Sequence, residues 1–432
     1  MVQYALPRDT QIAFSAGQSG CRNLGLLFER FTAFGENWAL EGKDKYQAFK
    51  AIAETAERSR RDSSFQQTVA HFHRRWLSCV TATGSPPDCI FEANPDWRFI
   101  IGLGQDHALE TGFTFHHVYG FPYLPGSALK GLTQTYALWL VAEHFGVPGI
   151  PPGHKAEGET PIQLLESLLL TPEDEDEELR RILGKLRSNR LLPDQSKLKA
   201  LSADEAIREL QNHEAASPAS QYRVVFGTQK ARGCVVFFDA VPVEPPRLVV
   251  DVMNPHYGPY YQEKGKGTPP ADYLSPVPVY FLAVESGSRF AFAVAAKEVS
   301  LARLACGWLK EALSMMGAGG KTSAGYGYFS SIGSTLAQPG PPQTAPSPVT
   351  PHIVSPPTTD QRPVAVKSAK GKVRYEQGRP YIIDQDDPSK KIRVDWKQMG
   401  MNALADRTLV HYEYREEPDG RRHLLKVIKA GS

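Results

Sequence analysis

Residues Gly317–Gly327 carry the sequence GAGGKTSAGYG, with five glycines in eleven positions. They follow a segment whose apolar residues recur at helical spacing as far as Met316, which predicts a helix capped by Gly317 in the left-handed conformation. Glycine lets the backbone approach a ligand closely, and successive N–H groups can form an anion-binding nest. Lys321, Thr322 and Ser323 add a charge and two hydroxyls. The segment therefore predicts a phosphate-binding loop, with a flexible glycine-rich connector as the alternative.

The nearest general phosphate motif is the Walker loop, G-x-x-x-x-G-K-[ST], and only its end is present, at Gly320-Lys321-Thr322. Met315 stands where the first glycine of the motif belongs. A Walker loop also follows a strand and opens a helix, whereas this loop follows a helix and precedes a predicted strand. An NTPase is therefore disfavoured.

A second segment with phosphate-binding character is ETGFTFHHVYGFPYLPGSALKG, residues Glu110–Gly131. Pro125-Gly126-Ser127 predicts the start of a helix, with Ser127 as N-cap and Lys130 in the first turn. The free N–H groups at such a helix start suit a phosphate. Aromatic residues upstream are dense enough to stack on bases, although some must be core: Phe113, Phe115, Tyr119, Phe121 and Tyr123.

The PGSALKG sequence at Pro125–Gly131 and the Gly317–Gly327 loop together resemble the paired motifs of the RAMP proteins of CRISPR systems. The fuller strings, ETGFTFHHVYGFPYLPGSALKG and AGGKTSAGYGYF, resemble one family in particular, the sixth, RAMP-type subunit of the type III-B (Cmr) effector complex. NLGLLF at Asn23–Phe28 and VFG at Val225–Gly227 fit the same family. The resemblance covers roughly residues 20–332 and leaves out the C-terminal tail.

This resemblance implies an α+β fold with a modified ferredoxin-like (RRM-like) RAMP body that carries helical insertions. It implies a structural role without catalysis, in which the subunit holds CRISPR guide RNA (crRNA) for antiviral defence and meets its target RNA. The implied protein partners are neighbouring RAMP subunits, the backbone subunit and the small helical subunit of the complex. No cofactor or metal is implied. The predicted RNA-binding residues are Gly126, Ser127, Lys130, Gly317, Gly319, Gly320, Lys321, Thr322, Ser323 and Gly325.

The alternative function is a metal-independent RAMP endoribonuclease that processes CRISPR RNA. Its catalytic set would be His116, His117, Tyr119 and Lys130, because histidine serves acid–base catalysis near pH 7 and lysine can steady a charged transition state. Adjacent histidines on an extended segment point to opposite faces, so only one could serve a given site. RNA contact or packing is therefore favoured over catalysis.

The domain organisation follows from a Pro-, Thr-, Ser- and Gln-rich linker at residues 338–363. It separates a body, residues 1–332, from a small tail domain, residues 364–432. In the body, residues 45–80 are predicted to be helical, and residues 160–215 to form a charged helical insertion standing off the core. Predicted strands are residues 97–102 (WRFIIG), Tyr222–Phe226, Cys234–Val241, Leu248–Met253, Val277–Val284 and Arg289–Ala296.

The tail is predicted to be a small all-β, OB-like barrel. Its predicted elements are strands at Ala365–Tyr375, Pro380–Asp384, Lys391–Trp396, Thr408–Arg415 and His423–Lys429, with a short helix at Lys397–Leu404. Residues 366–432 hold 15 Lys and Arg against 10 Asp and Glu, a net charge of +5 that points weakly to nucleic acid. The tail residues predicted to contact RNA are Lys370, Lys372, Arg374, Tyr375, Arg379 and Tyr381. An ordinary barrel with a charged surface explains them equally well.

Length and composition exclude several protein classes. With 432 residues, 41% hydrophobic and 22% charged, the chain predicts two to three folded domains and not wholesale disorder. The longest apolar run, near residues 138–141, falls far short of the ~20 residues of a membrane span, and no charged-then-apolar secretory leader is expected. Five scattered cysteines without a CxxC pair suit the reducing cytoplasm and argue against a disulfide framework. The expectation is a soluble cytoplasmic protein.

Three further features have simple explanations. His71 and His73 are two residues apart on a predicted helix and face different ways, so no metal site is expected. The acidic run Glu173–Glu178 is expected to be a solvated face rather than a Mg²⁺ site. The aromatic and basic loop that begins at Asn254 is expected to contact RNA or a partner subunit, with packing in the core as the alternative.

Overall fold

A computed structural model of the chain divides into two compact units, Met1–Gly340 and Pro341–Ser432. The predicted linker, residues 338–363, lies outside the described residues. The structure describes residues 3–17, 21–34, 38, 40, 42–149, 158–211, 217–255, 260, 269, 276–330, 332–333, 367–376, 379–385, 391–394, 405, 408–416 and 422–429.

The first unit opens with strand β1 (Gln3–Tyr4), helices α1 (Arg8–Gly17) and α2 (Leu24–Arg30), and strand β2 (Ala33–Phe34), which pairs antiparallel with β1. Helices α3 (Gly42–Arg61) and α4 (Ser63–Ala82) then cover the segment predicted to be helical. Asp62 separates them because its carboxylate accepts hydrogen bonds from the N–H groups of Ser64 and Phe65, at 2.8 and 3.3 Å, and so caps α4.

The middle of the chain is mostly helical. Strand β3 (Ile90–Ala93) is followed by α5 (Gly126–Phe145), α6 (Pro161–Leu170), α7 (Asp176–Ser188), α8 (Lys197–Ala200), α9 (Ala203–Gln211) and α10 (Pro218–Phe226). Helices α6 to α9 do not stand off the core as predicted: Leu165, Leu183 and Leu198 are fully or almost fully buried in the same hydrophobic cluster as Phe145 of α5. The prediction was wrong because these helices carry leucine residues that pack inward, whatever the charge of their exposed faces.

The remaining elements of this unit are β4 (Val235–Phe237), β5 (Val241–Pro242), β6 (Leu248–Met253), β7 (Val279–Val284), β8 (Phe290–Ala296) and α11 (Val299–Met315). Strands β3, β8 and β4 form an antiparallel sheet in that order, and β5 also pairs with β8. Strands β6 and β7 form a separate antiparallel pair. Every residue of β8 is buried, and α11 packs against both β8 and α5.

Two predicted strands are different in the structure. Tyr222–Phe226 belongs to helix α10, which starts with Ser217 as N-cap and Pro218 in its first turn. Residues 97–102 are largely buried but do not form a regular strand, since Phe99 makes only an isolated bridge to Val284. The predicted end of the last helix is confirmed: the N–H of Gly317, at φ +75°, donates to the carbonyl of Ala312 at 3.2 Å.

The second unit is an antiparallel sheet of five strands, β9 (Lys367–Glu376), β10 (Arg379–Asp384), β11 (Lys391–Arg393), β12 (Leu409–Glu416) and β13 (Arg422–Lys429). The strand order is β11-β10-β9-β12-β13. Val373, Ile382, Ile392, Val394 and Val410 are buried and supply its core. The helix predicted at Lys397–Leu404 lies outside the described residues. Among the described helices of both units, none is long and apolar enough to cross a bilayer.

Candidate nucleic-acid interface

The Gly317–Gly327 segment, here called the Gly loop, begins where α11 ends and is fixed against residues 98–100. The N–H of Gly320 donates to the carbonyl of Ile100 at 2.8 Å, and the N–H of Gly327 donates to the carbonyl of Arg98 at 2.7 Å. Gly319 has φ +87°, and a Cβ placed there would lie 2.1 Å from the Ile100 carbonyl oxygen. Glycine at 319 is therefore required both by backbone conformation and by contact.

The outer side of the Gly loop is a short 3-10 turn, Thr322–Ala324, preceded by Lys321 in the left-handed conformation at φ +58°. The predicted nest is smaller than the sequence suggests, because the N–H groups of Ala324 and Gly325 donate at 2.9 Å to carbonyls of the loop itself. For the N–H groups of Gly319, Lys321, Thr322 and Ser323, no acceptor is found in the described part of the chain. These four groups remain for an external anion.

Lys321 is half-buried, and its ammonium group has apolar neighbours. Its Nζ lies 3.5 Å from the sulfur of Met253 and 5.9 Å from the ring centroid of Phe281. Among the described residues, no carboxylate lies within salt-bridge distance of Lys321. Lys321 therefore forms no direct ion pair within the described chain, and its ammonium group can contact a phosphate.

A polar network lies directly beneath the Gly loop and was not predicted from the sequence. Arg98 donates from Nη1 to Asp251 at 2.7 Å and from Nε to Glu285 at 3.2 Å, and the Tyr326 hydroxyl donates to Asp251 at 2.8 Å. Burial raises the pKa of Tyr326 to about 12, with a further contribution from its hydrogen bond to Asp251. Burial also opposes ionisation of Asp251, but the hydrogen bonds from Tyr326 and Arg98 outweigh it and lower the pKa of this carboxyl. The network therefore holds a neutral tyrosine and an ionised aspartate at neutral pH.

The start of α5 differs from its prediction in two ways. Pro125, not Ser127, occupies the N-cap position, and no side-chain cap is formed by it. The N–H of Gly126 donates to Oδ1 of Asp239 at 2.6 Å, so the chain supplies its own anion at this helix start. Gly126 is buried, Ser127 is exposed, and Lys130 is half-buried with its Nζ 3.4 Å from the Phe226 carbonyl oxygen. Ser127 and Lys130 remain predicted RNA contacts. The Gly126 N–H, which was also predicted to contact RNA, already donates to Asp239.

His116 and His117 lie in a tight turn rather than on an extended segment. The N–H of His116 donates to the Phe121 carbonyl, and the N–H of Gly120 donates to the His116 carbonyl, both at 2.7 Å. The ring of His116 packs among aromatic side chains, and its Nδ1 accepts from the N–H of Val118 at 3.3 Å. Burial lowers the pKa of His116. His117 is exposed, so the two rings occupy different environments.

The four residues of the endoribonuclease alternative are not assembled into one site. Tyr119 contacts His116 and the guanidinium group of Arg75. Lys130 instead contacts the carbonyl of Phe226. Within the described ranges, no hydrogen bond or ring contact joins Lys130 to either histidine or to Tyr119. The geometry therefore supplies no shared acid–base pair.

The acidic run Glu173–Glu178 meets basic side chains of the same chain. Lys230 pairs with Asp174 and Glu175 at 3.0 and 2.8 Å, and the buried Arg223 lies 3.5 Å from Glu173. Most of these carboxylates are solvent-exposed and stand at the start of α7, where negative charge is favourable. Among the described residues, no group of three or more His, Cys, Asp or Glu side chains could hold a metal ion.

Comparison with known proteins places these features in a family. Residues 98–330, more than half of the chain, match the RAMP superfamily. The chain belongs to the RAMP superfamily. The resemblance inferred from the two glycine-containing motifs is thereby confirmed, and both lie within the RAMP match.

One curated relative of this RAMP protein is CRISPR system Cmr subunit Cmr6 of Pyrococcus furiosus, 34% identical over 237 residues. The match covers 53% of this chain and 64% of the relative, just under two thirds of its length. The crystal structure of Cmr6 from Pyrococcus furiosus is 31% identical, covers 56% of this chain and 96% of that chain, and has a TM-score of 0.32. A cryo-EM structure of a type III-B Cmr-beta complex bound to cognate target RNA is 17% identical, covering 68% of this chain and 77% of that chain at a TM-score of 0.36. Since both TM-scores are below 0.5, the assignment rests on the sequence matches.

The tail lies outside the RAMP match, and strand β9 carries most of its predicted RNA contacts. Lys370, Lys372 and Arg374 alternate along β9 on the face opposite the buried Val373, and Tyr381 of β10 pairs directly with Arg374. Tyr375 lies on the same face as Val373, although it is partly exposed. The side chain of Arg379 and most of the loop after Asn254 lie outside the described residues.

Proposed function

We propose that this RAMP protein is a non-catalytic RNA-binding subunit of a cytoplasmic type III-B CRISPR (Cmr) ribonucleoprotein that acts in antiviral defence. The observation that carries the proposal is the composition of the Gly loop. Lys321 has no ion-pair partner in the described chain, and four backbone N–H groups of the same loop have no acceptor there, in a protein 34% identical to a Cmr subunit. Positive charge and free N–H groups are what a phosphate backbone requires.

The proposed ligand is CRISPR guide RNA, with target RNA reached through pairing to the guide. Lys321, Thr322 and Ser323 would contact phosphates at the Gly loop, and Ser127 and Lys130 would give a second contact at the start of α5. Because every nucleotide presents the same phosphate, such contacts hold RNA without selecting its sequence. A guide-holding subunit needs this property, since guides differ from one another in sequence.

The proposed ferredoxin-like core is supported by the pairing of the body strands. Strand β3 is followed by α5 and β4, and β8 by α11, while Ala93 of β3 bridges antiparallel to Ile332 after the Gly loop. Two interleaved β-α-β units are expected to give this order of neighbours across the sheet: residue 332, then β3, β8 and β4. In the tail, β9 pairs with both β10 and β12, which supports the proposed OB-like barrel.

The proposed protein partners are the other Cmr subunits, namely neighbouring RAMP subunits, the backbone subunit and the small helical subunit. The endoribonuclease alternative is less well supported. The pKa of His116 is lowered by burial and its Nδ1 is already bonded, while Lys130 contacts another part of the chain. No observation favours a common catalytic centre for these residues.

A single binding and cleavage experiment tests this proposal. The purified full chain is incubated with labelled CRISPR repeat RNA, with and without EDTA, and both the mobility shift and the integrity of the RNA are scored. A shift that weakens steeply with salt, without cleavage, is expected because phosphate contacts release counterions. Multiple-turnover cleavage under either condition would contradict the non-catalytic assignment, and the absence of any shift would contradict RNA binding.

A further inference from the structure

Trp97 is a large apolar side chain exposed at the edge of the Gly loop. It is 45% exposed, and it immediately precedes Arg98, whose carbonyl accepts the hydrogen bond of Gly327. An exposed tryptophan is not unusual by itself. Trp97, however, lies beside the Gly loop, which is the proposed phosphate site. Several contacts also hold it in place.

The backbone on both sides of Trp97 is held by the last residue of the Gly loop and by residues that follow it. The N–H of Asp96 donates to the Tyr328 carbonyl at 2.8 Å, and Oδ1 of Asp96 accepts from the N–H and the hydroxyl of Ser330, at 2.9 and 2.7 Å. On the other side, the Arg98 carbonyl accepts from Gly327 at 2.7 Å. Trp97 is thus displayed on an anchored segment, and little conformational entropy is lost when it binds a partner.

The Trp97 ring is also held by side chains of the buried network. Its centroid lies 4.6 Å from that of Tyr326 in a tilted arrangement, and the guanidinium carbon of Arg98 lies 5.3 Å from its centroid. Tyr326 is itself fixed through Asp251, and Arg98 through Asp251 and Glu285. The exposed part of the indole is therefore pre-organised rather than free to turn away.

The charges around Trp97 decide which part of a nucleotide it suits. Arg98 is neutralised by Asp251 and Glu285, and Asp96 adds a further carboxylate. This excess of negative charge disfavours a phosphate next to the ring. Lys321, whose Nζ lies 5.9 Å from the Phe281 ring that in turn contacts Tyr326, favours a phosphate at the Gly loop. An aromatic surface beside a phosphate-binding loop suits an unpaired base, whose flat face stacks without regard to sequence.

We propose that Trp97 stacks on an unpaired nucleobase of the RNA whose phosphate is held by the Gly loop. This inference rests on the proposed RNA-binding function and adds to it a specific base contact. Lys321 and Trp97 then bind different parts of the same RNA: the Gly loop binds a phosphate and the indole binds an unpaired base.

The test measures RNA affinity of the full chain for single-stranded repeat RNA, with Trp97→Ala, Trp97→Leu and Trp97→Phe compared with wild type. Stacking on one base predicts a loss of about five- to 150-fold for Trp97→Ala. Trp97→Leu should lose nearly as much, because it keeps apolar volume but not the aromatic face, whereas Trp97→Phe should retain most of the affinity. Trp139→Ala is the matched control, since Trp139 is 42% exposed on α5, and it should bind as wild type does.

A second measurement identifies the base. Single abasic nucleotides are placed along the RNA, and one position should weaken binding by wild type but not by Trp97→Ala. If wild type binds RNA with steep salt dependence but Trp97→Ala binds equally well, the stacking inference is wrong while the proposed function stands. If Trp97→Ala instead loses its association with Cmr subunits and keeps its RNA affinity, Trp97 is a protein contact and the inference is equally wrong. If wild type itself binds no RNA, both proposals fail.

Discussion

Replacing Gly319 by alanine tests whether the Gly loop is fixed by its contact with Ile100. Gly319 has φ +87°, and its new Cβ would lie 2.1 Å from the Ile100 carbonyl oxygen. The left-handed conformation costs an L-residue about 1–2 kcal/mol. Relieving the clash must also displace the loop and weaken the 2.8 Å hydrogen bond from Gly320 to Ile100, a loss of about 0.5–1.5 kcal/mol. The free energy of unfolding should therefore fall by about 1.5–3.5 kcal/mol.

Gly325→Ala is the control for this substitution. Gly325 has φ +90°, but a Cβ there meets nothing within 4 Å, so only the conformational cost of about 1–2 kcal/mol is expected. Urea unfolding followed by tryptophan fluorescence measures both variants, and the first transition of the two-unit chain is compared. Gly319→Ala should also weaken RNA binding more than Gly325→Ala does. If the two variants are equally stable and bind RNA equally well, the loop is not fixed in the way described.

Three further predictions concern other parts of the chain. His117→Ala should leave the rate of target cleavage by the assembled complex within a few fold of wild type, because His117 is exposed and forms no acid–base pair with the other candidate residues. A loss of several hundredfold would show that this subunit takes part in catalysis. Deleting residues 338–432 should leave the body folded, as measured by circular dichroism, with modestly lower RNA affinity and a weaker dependence of RNA binding on salt. An unfolded body would show that the body and the tail share a core. Unchanged RNA binding would indicate that the tail is a protein-docking domain. Burial lowers the pKa of His107 from its ordinary 6.5. As the pH drops below about 6.5, the His107 side chain therefore binds a proton more readily in the unfolded chain than in the folded chain. The free energy of unfolding should fall over that pH range. His107→Gln should make that pH dependence shallower, and an identical slope in the variant would show that His107 does not contribute.

The elements with a complete local pattern were predicted well. Strands Leu248–Met253 and Phe290–Ala296 lie within one residue of their predicted positions, and helix Val299–Met315 ends one residue before its predicted end. Alternation and helical spacing are local properties of the sequence. The five apolar-rich residues Tyr222–Phe226 were too few to separate strand from helix. Ser217 and Pro218, a helix-start pair just upstream, were the local signal that could have decided it.

Tertiary contacts limited what could be predicted about the candidate site. The Gly loop was found because its glycines and Lys321 are adjacent in sequence. The network beneath it joins Arg98, Asp251, Glu285 and Tyr326 from four separate segments, so no local pattern marks it. The same reason applies to Asp239, which lies 113 residues after Gly126 in the sequence. Its carboxylate accepts the Gly126 N–H and so changes what the start of α5 can bind.

The salt dependence of RNA binding by Lys321→Ala tests whether the Gly loop binds RNA phosphate. The logarithm of the binding constant is measured against the logarithm of salt concentration, from about 50 to 200 mM, for wild type and variant on several unrelated single-stranded guides. Loss of one phosphate contact predicts weaker binding by the same factor on every guide and a salt slope smaller by about 0.7. If the RNA affinity and the salt slope are unchanged, or if the loss of affinity depends on guide sequence, the Gly loop does not bind RNA phosphate independently of sequence.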